Sequence, residues 1–127
     1  MAKRAPHVTD AEFAVLVALW DDGERSAREL TERLYPACTA ADVATVQKLV
    51  QRLEKKGLVS RDRSARIHRF SATLPREQFA GQQLSQMAEK LSGGSLTPLL
   101  VHLVENNRLS RREIDELRAL LESRKRR

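Results

Sequence analysis

The sequence predicts a mainly α-helical chain with one small β-hairpin, arranged as an N-terminal domain followed by a helical extension. Three observations carry that expectation. Hydroxyl and carboxylate residues stand three apart at Thr9–Glu12, Ser26–Glu29 and Ser110–Glu113, the reciprocal pairing of a capping box that opens a helix. Apolar residues behind these starts recur at helical spacing. Only between Leu58 and Ser71 does the period shorten toward alternation, the mark of paired strands.

Taken in order, the first helix opens at the Thr9–Glu12 box, carries Phe13, Leu16, Val17 and Trp20 on one face, and stops at Asp21-Asp-Gly23. The second opens at Ser26–Glu29, turns Leu30 and Leu34 inward and closes before Pro36. Asp42 is the expected N-cap of the third, whose stripe is Val43, Val46, Leu49, Val50 and Leu53. Gly57 is its stop, after Lys55 and Lys56, whose charges suit a helix C-terminus. Leu58–Arg63 and Arg66–Ser71 then read as the two strands of a hairpin turning at Ser64-Ala65. Three helices and a basic hairpin describe a winged helix-turn-helix, in which two helices support a third that is presented to a groove.

Past Pro75 the strand signal disappears. One helix is expected from there to Leu91, ended by Gly93-Gly94. Thr97-Pro98 supplies an N-cap and N1 pair for a second, carrying Leu99, Leu100, Leu103 and Val104. The last carries Ile114, Leu117, Leu120 and Leu121. These helices are too thin to bury their stripes alone. A second copy of the chain would cover them, and folding back onto the N-terminal domain is the other solution. The expected organisation is therefore a winged-helix domain over 8–74, a helical dimerisation region over 75–123, and a basic tail over 124–127.

Composition bounds the function. A chain of 127 residues suits one compact domain, or a small domain with an extension. Its 41% hydrophobic content allows a core without surplus. No apolar stretch approaches the ~20 residues of a membrane span, and the basic start at Met1–His7 is not followed by a signal-like apolar run. Cys38 is the only cysteine, so neither an intrachain disulfide nor a cysteine-cluster metal site is available, and a cytoplasmic location is expected.

The charge is concentrated. Between Ala44 and Arg69 lie eight bases against two acids, Glu54 and Asp62, which accounts for the whole formal net charge of +6. A basic window on an otherwise neutral chain is the electrostatic footprint of a polyanion binder. On the third helix the outward positions are Ala44, Thr45, Gln47 and Lys48, expected to read bases. Gln47 can pair with adenine, Lys48 can reach guanine acceptors, and the Ala44 and Thr45 methyls can meet a thymine methyl. Gln51, Arg52, Lys55 and Lys56, with Arg61, Arg63 and Arg66 on the wing, are expected at the backbone.

Other chemistry is poorly supported. His7, His68 and His102 stand singly, without the partner spacing of a metal site. His68 alternates with Ile67 as a strand residue would, and Trp20 and Phe70 look like core. No phosphate loop, nucleophile triad or carboxylate pair is present in the sequence, so the chain does not read as an enzyme and no cofactor is implied. A lone cysteine such as Cys38 is more often an inert small residue than a redox switch.

Several segments together resemble the bacterial penicillinase repressors of the BlaI/MecI type and the related copper-responsive, CopY-type repressors. They are Thr9-Asp-Ala-Glu12 with Leu19-Trp20, the run Thr45–Leu53, Lys56–Arg61, the wing Ser64–Phe70, Gly93-Gly94 and Ser110–Leu117, spread over about Val8–Ser123. The resemblance implies a homodimeric transcriptional repressor whose winged helices bind two halves of a palindromic double-stranded DNA operator, with the C-terminal helices forming the dimer. In the antibiotic-responsive members a membrane sensor-protease system triggers cleavage in the penultimate helix. The equivalent position here is His102-Leu103, in place of that family's Asn-Phe pair. The cysteine-rich metal motif of the copper-responsive members is missing from this sequence, and Ala44 and Gln47 replace basic residues of the antibiotic-responsive ones, so the operator sequence does not carry over. The alternative is a winged-helix protein–protein interaction module without specific DNA binding, which would give no mobility shift with random DNA at low salt.

Overall fold

The computed structural model describes residues 6–125. In chain order the elements are α1 (Asp10–Asp22), β1 (Arg25–Ser26), α2 (Ala27–Leu34), α3 (Ala40–Lys55), β2 (Val59–Asp62), β3 (Arg69–Ala72), α4 (Arg76–Ser92), α5 (Thr97–Glu105) and α6 (Arg111–Lys125). The chain divides into two compact units, Met1–Gln83 and Leu84–Arg127, and the division falls inside α4.

The helix starts follow from their caps. At Thr9, Ser26 and Ser110 the hydroxyl accepts from the backbone N–H three residues on, and that residue's carboxylate accepts from the cap's own N–H. The same box occurs at Thr39–Asp42. Asp42 is thus not the N-cap of α3 but its third residue, because a hydroxyl upstream satisfies the Asp42 N–H while Asp42 reaches back to Thr39. At α5, Thr97 is already helical. Leu96 holds the cap position without a side-chain bond, and Pro98 sits in the first turn.

In the first unit α1, α2 and α3 enclose a core of Val15, Leu16, Leu19, Leu30, Val46, Leu49, Val50 and Leu53, closed by Leu58, Val59 and Phe70 from the sheet side. The expected face of α1 was only half of the answer. Val15, Leu16, Ala18 and Leu19 are buried, whereas Phe13 is 43% exposed. A helix apolar around most of its circumference serves two partners. On the second face Phe13 and Trp20 form an aromatic cluster with Phe79 of α4, with ring centroids 5.4–6.1 Å apart. The Trp20 indole N–H donates to the Leu74 carbonyl at 3.0 Å.

The sheet has three strands in the order β1-β3-β2, all antiparallel neighbours. Phe70 on the central strand faces Arg25 on one side and Arg61 on the other. The two-residue β1 carries no alternation that a sequence could display. The hairpin is also shorter than expected, with its connection spanning 63–68 rather than Ser64-Ala65 alone. Asp62 explains this. Its carboxylate accepts from the Ser64 N–H at 2.9 Å, turning the chain out of the ladder. Ile67 and His68 therefore belong to the loop and not to a strand.

The turn from α3 into β2 rests on Gly57, whose φ of 79° lies in the left-handed region. The Gly57 N–H donates to the Glu54 carbonyl and the Leu58 N–H to the Leu53 carbonyl, both at 3.0 Å, a Schellman closure that carries Leu58 into the core.

The second unit contains the rest of α4 with α5 and α6. Leu100, Val104, Leu109, Ile114, Leu117 and Leu121 line an apolar concavity of about 590 Å³ between α5 and α6. The expected basic tail is in part helix: Arg124 and Lys125 form the last turn of α6, and Arg126 and Arg127 lie outside the described residues.

Candidate nucleic-acid interface

One open groove of about 620 Å³ lies in the first unit. Its floor is apolar, from Ala27, Val43, Val50 and Phe70. Its rims come from three elements: Arg28 and Glu32 of α2, Gln47 and Gln51 of α3, and Arg66, Ile67 and His68 of the wing loop. Ala44, Thr45, Gln47, Lys48, Gln51 and Arg52 are all exposed on α3. The Thr45 hydroxyl donates back to the Ala41 carbonyl at 3.0 Å, so its methyl is the part left to meet a ligand.

The bases of the window separate into two sets. Lys48, Arg52, Lys55 and Arg66 are exposed, and no ion-pair partner is found for them among the described residues. The others are already engaged. Lys56 gives its ammonium to the buried Glu12 carboxylate at 2.7 and 2.9 Å and to the His7 carbonyl at 2.7 Å. Arg61 and Arg63 converge on opposite oxygens of Glu54, at 3.2 and 3.3 Å. Arg61 also lies over the Phe70 ring, 4.8 Å from its centroid. Arg69 pairs with Glu24 and Glu29 at 3.0 and 3.2 Å.

The convergence of α3 and the wing on one groove was legible in the sequence, but its third wall was not. Arg28 sits in the first turn of α2, two residues after the Ser26 cap, and only the fold shows that this turn borders the groove. Ile67, expected on a strand, is 68% exposed in the wing loop and borders the groove. Chemically the groove offers amide side chains flanked by guanidinium and ammonium groups over an apolar floor. Amides are suited to base edges and cations to phosphates.

In the second unit, Leu100, Leu103, Val104, Leu117, Leu120 and Leu121 are exposed on α5 and α6, with Leu99 and Ile114 half-buried beside them. His102-Leu103 lies in the second turn of α5. The His102 carbonyl there accepts from the Asn106 N–H at 3.1 Å and from the Asn106 side-chain amide at 2.8 Å.

No helix of the described residues is long and apolar enough to cross a membrane. Residues 8–123 match the family described as penicillinase repressor. A penicillinase repressor of Staphylococcus aureus is 27% identical over 95% of each chain. The transcriptional regulator BlaI of Mycobacterium tuberculosis is 36% identical over 88% of this chain and 80% of its own. A methicillin resistance regulatory protein, MecI, of Staphylococcus aureus is 25% identical over 95% of this chain and 98% of its own. A solved MarR family protein of Bacillus stearothermophilus superposes with a TM-score of 0.46, covering 80% of this chain and 71% of that one at 25% identity.

Proposed function

The chain belongs to the penicillinase repressor family, a family of transcriptional repressors and not of enzymes, and from that premise we propose that it represses transcription by binding a palindromic DNA operator as a homodimer. The observation that carries this reading is the groove itself. Exposed Gln47 and Gln51 on one helix face the wing residue Arg66 across a single concave surface, with Lys48 and Arg52 alongside on α3. A helix presented in this way enters the major groove, its first half at the base edges, while the wing lies along the backbone. Ala44, Thr45, Gln47 and Lys48 read bases in this arrangement. Arg52, Lys55 and Arg66 hold phosphates.

Dimer formation falls to the apolar face of α5 and α6, where Leu100, Leu103, Val104, Leu117, Leu120 and Leu121 are exposed. Several large apolar side chains left exposed on two neighbouring helices favour an interface. A closed twofold pairing reads a twofold-symmetric site, and half-site spacing then reports the distance between the two recognition helices. The family resemblance extends the reading to a membrane sensor-protease system as the releasing partner, acting at or near His102-Leu103 in the cytoplasm. That segment is helical, so cleavage there requires α5 to open first.

Selection of bound duplexes from a random pool tests the whole reading. Recovery of two inverted half-sites at a spacing of one helical turn or a multiple supports it. Recovery of no consensus, with no shift of random DNA at low salt, overturns it in favour of a protein-binding module.

A further inference from the structure

Glu54 is one of only two acids in the basic window, and both of its carboxylate oxygens are occupied by wing arginines. The two arginines differ. Arg61 is 17% exposed and packed over Phe70, whereas Arg63 is 61% exposed and held by a single bond of 3.3 Å. Arg61 is therefore fixed at the root of the wing. An exposed carboxylate–guanidinium pair such as Glu54–Arg63 is weak and exchanges its partner readily. The two non-bridging oxygens of a phosphodiester offer Arg63 a charged, bidentate acceptor pair, as a carboxylate does.

We propose that Glu54 is a specificity-determining residue that competes with phosphate for Arg63, holding it off the backbone on non-cognate DNA and yielding it when α3 is seated on its operator. The proposal rests on the DNA-binding reading above. On a random duplex, attraction is diffuse and nothing forces the wing against a particular phosphate, so Arg63 stays on Glu54. On the operator, base contacts from Gln47 fix the register of α3. Glu54 lies near the end of the same helix, one turn beyond Gln51. The wing root is then pressed to the backbone and Arg63 transfers to phosphate. Arg61 remains on Glu54, so the carboxylate is not left unpaired beside the duplex. The exchange adds one released counterion per wing to specific binding and none to non-specific binding.

The experiment measures affinity against salt concentration for a selected operator and for a random duplex, using the full chain and the variants Glu54→Gln, Arg63→Ala and the double variant. Glutamine keeps the shape of the side chain and removes its charge. In the wild type the operator slope is expected to exceed the random slope by about one per wing. Glu54→Gln is expected to bind random DNA about five-fold per wing more tightly at 0.1 M salt, with a slope steeper by about one per wing and little change on the operator. The gain vanishes in the Arg63→Ala background. An unchanged or weaker affinity of Glu54→Gln for random DNA overturns the proposal, as does a gain that survives removal of Arg63. A wild type that binds neither duplex at low salt instead overturns the DNA-binding reading itself.

Discussion

The Lys56 ammonium lies 2.7 and 2.9 Å from the two carboxylate oxygens of Glu12, a residue whose side chain is almost wholly buried under the start of α1. The same ammonium reaches the His7 carbonyl, so one lysine fastens the chain ahead of α1 to the corner where α3 ends. Lys56, expected at the DNA backbone, has partners within the domain and braces it.

Stability should report that brace. Burial pushes the Glu12 carboxyl up, but bonds from Lys56 and Thr9 outweigh it and hold the group below its ordinary value of 4.5. A carboxyl depressed on folding contributes stability that is present above the unfolded value and lost as pH falls through the folded one. Lys56→Met should cost about 2 kcal/mol at pH 7. With the partner gone, burial is opposed only by the Thr9 bonds, so the Glu12 carboxyl stands higher in the variant than in the wild type. The gap between wild type and variant should therefore narrow as pH falls from 7 through the acid range, in thermal melts followed by circular dichroism. A gap that stays constant or widens contradicts this account.

Gly57 invites a second measurement. A Cβ added there meets nothing within 4 Å, so only the left-handed backbone opposes a side chain. Gly57→Ala should therefore cost about 1–2 kcal/mol, and Gly57→Asn less, since asparagine tolerates that conformation. The fluorescence of Trp20, the only tryptophan, follows the unfolding. Equal losses in the two variants would point to packing and not to backbone strain.

Local signals made most of the fold legible. Capping boxes at Thr9, Ser26 and Ser110 and the glycine at 57 act within a few residues, so the sequence displays them directly. The Thr39–Asp42 box is equally local, but Asp42 is itself a good cap residue and drew the boundary inward. What escaped depends on distance in the chain. β1 exists only because Phe70 lies beside Arg25, and Phe13 packs on Phe79 rather than into the main core. The site divides in the same way. Exposure of Gln47 and Lys48 follows from helical period, whereas the engagement of Lys56 by Glu12 and of Arg61 by Glu54 needs partners 44 and 7 positions away. Charge counting along the window overstates the cations available to phosphate.

That overstatement has a thermodynamic reading. Arg52→Ala should lower the salt slope of DNA binding by about one per protomer and weaken all sequences alike, and Arg66→Ala should do the same. Lys56→Met should leave the slope unchanged, because its ammonium is already neutralised by Glu12. Titrations at four or five salt concentrations separate the cases. An equal loss of slope in all three variants would mean that the brace opens on DNA.

Base reading is tested at Gln47. Its amide stands on the groove wall, free of any protein hydrogen bond among the described residues. Gln47→Ala should relax preference at one position in each half-site, at a cost of about 1–3 kcal/mol on the selected operator and almost none on random DNA. The check is a repeat of the sequence selection with the variant. A motif recovered unchanged would move base reading to another surface.

The second unit sets the last test. Leu117 and Leu121 lie one turn apart on α6, 42% and 62% exposed, lining the concavity that α5 closes from the other side. A charge placed there is tolerated by a monomer, since water already reaches both positions, but it is costly at the centre of an apolar interface. Leu117→Glu should shift the protein from dimer to monomer in sedimentation equilibrium while the melt of Trp20 in the first unit is preserved. Operator affinity should then fall at least 100-fold as the second half-site contact is lost, and the salt slope should drop by about half. Leu121→Glu should reproduce the effect, which separates loss of the interface from a local defect at one position. A dimer that persists in both variants would place the twofold contact elsewhere than on α5 and α6.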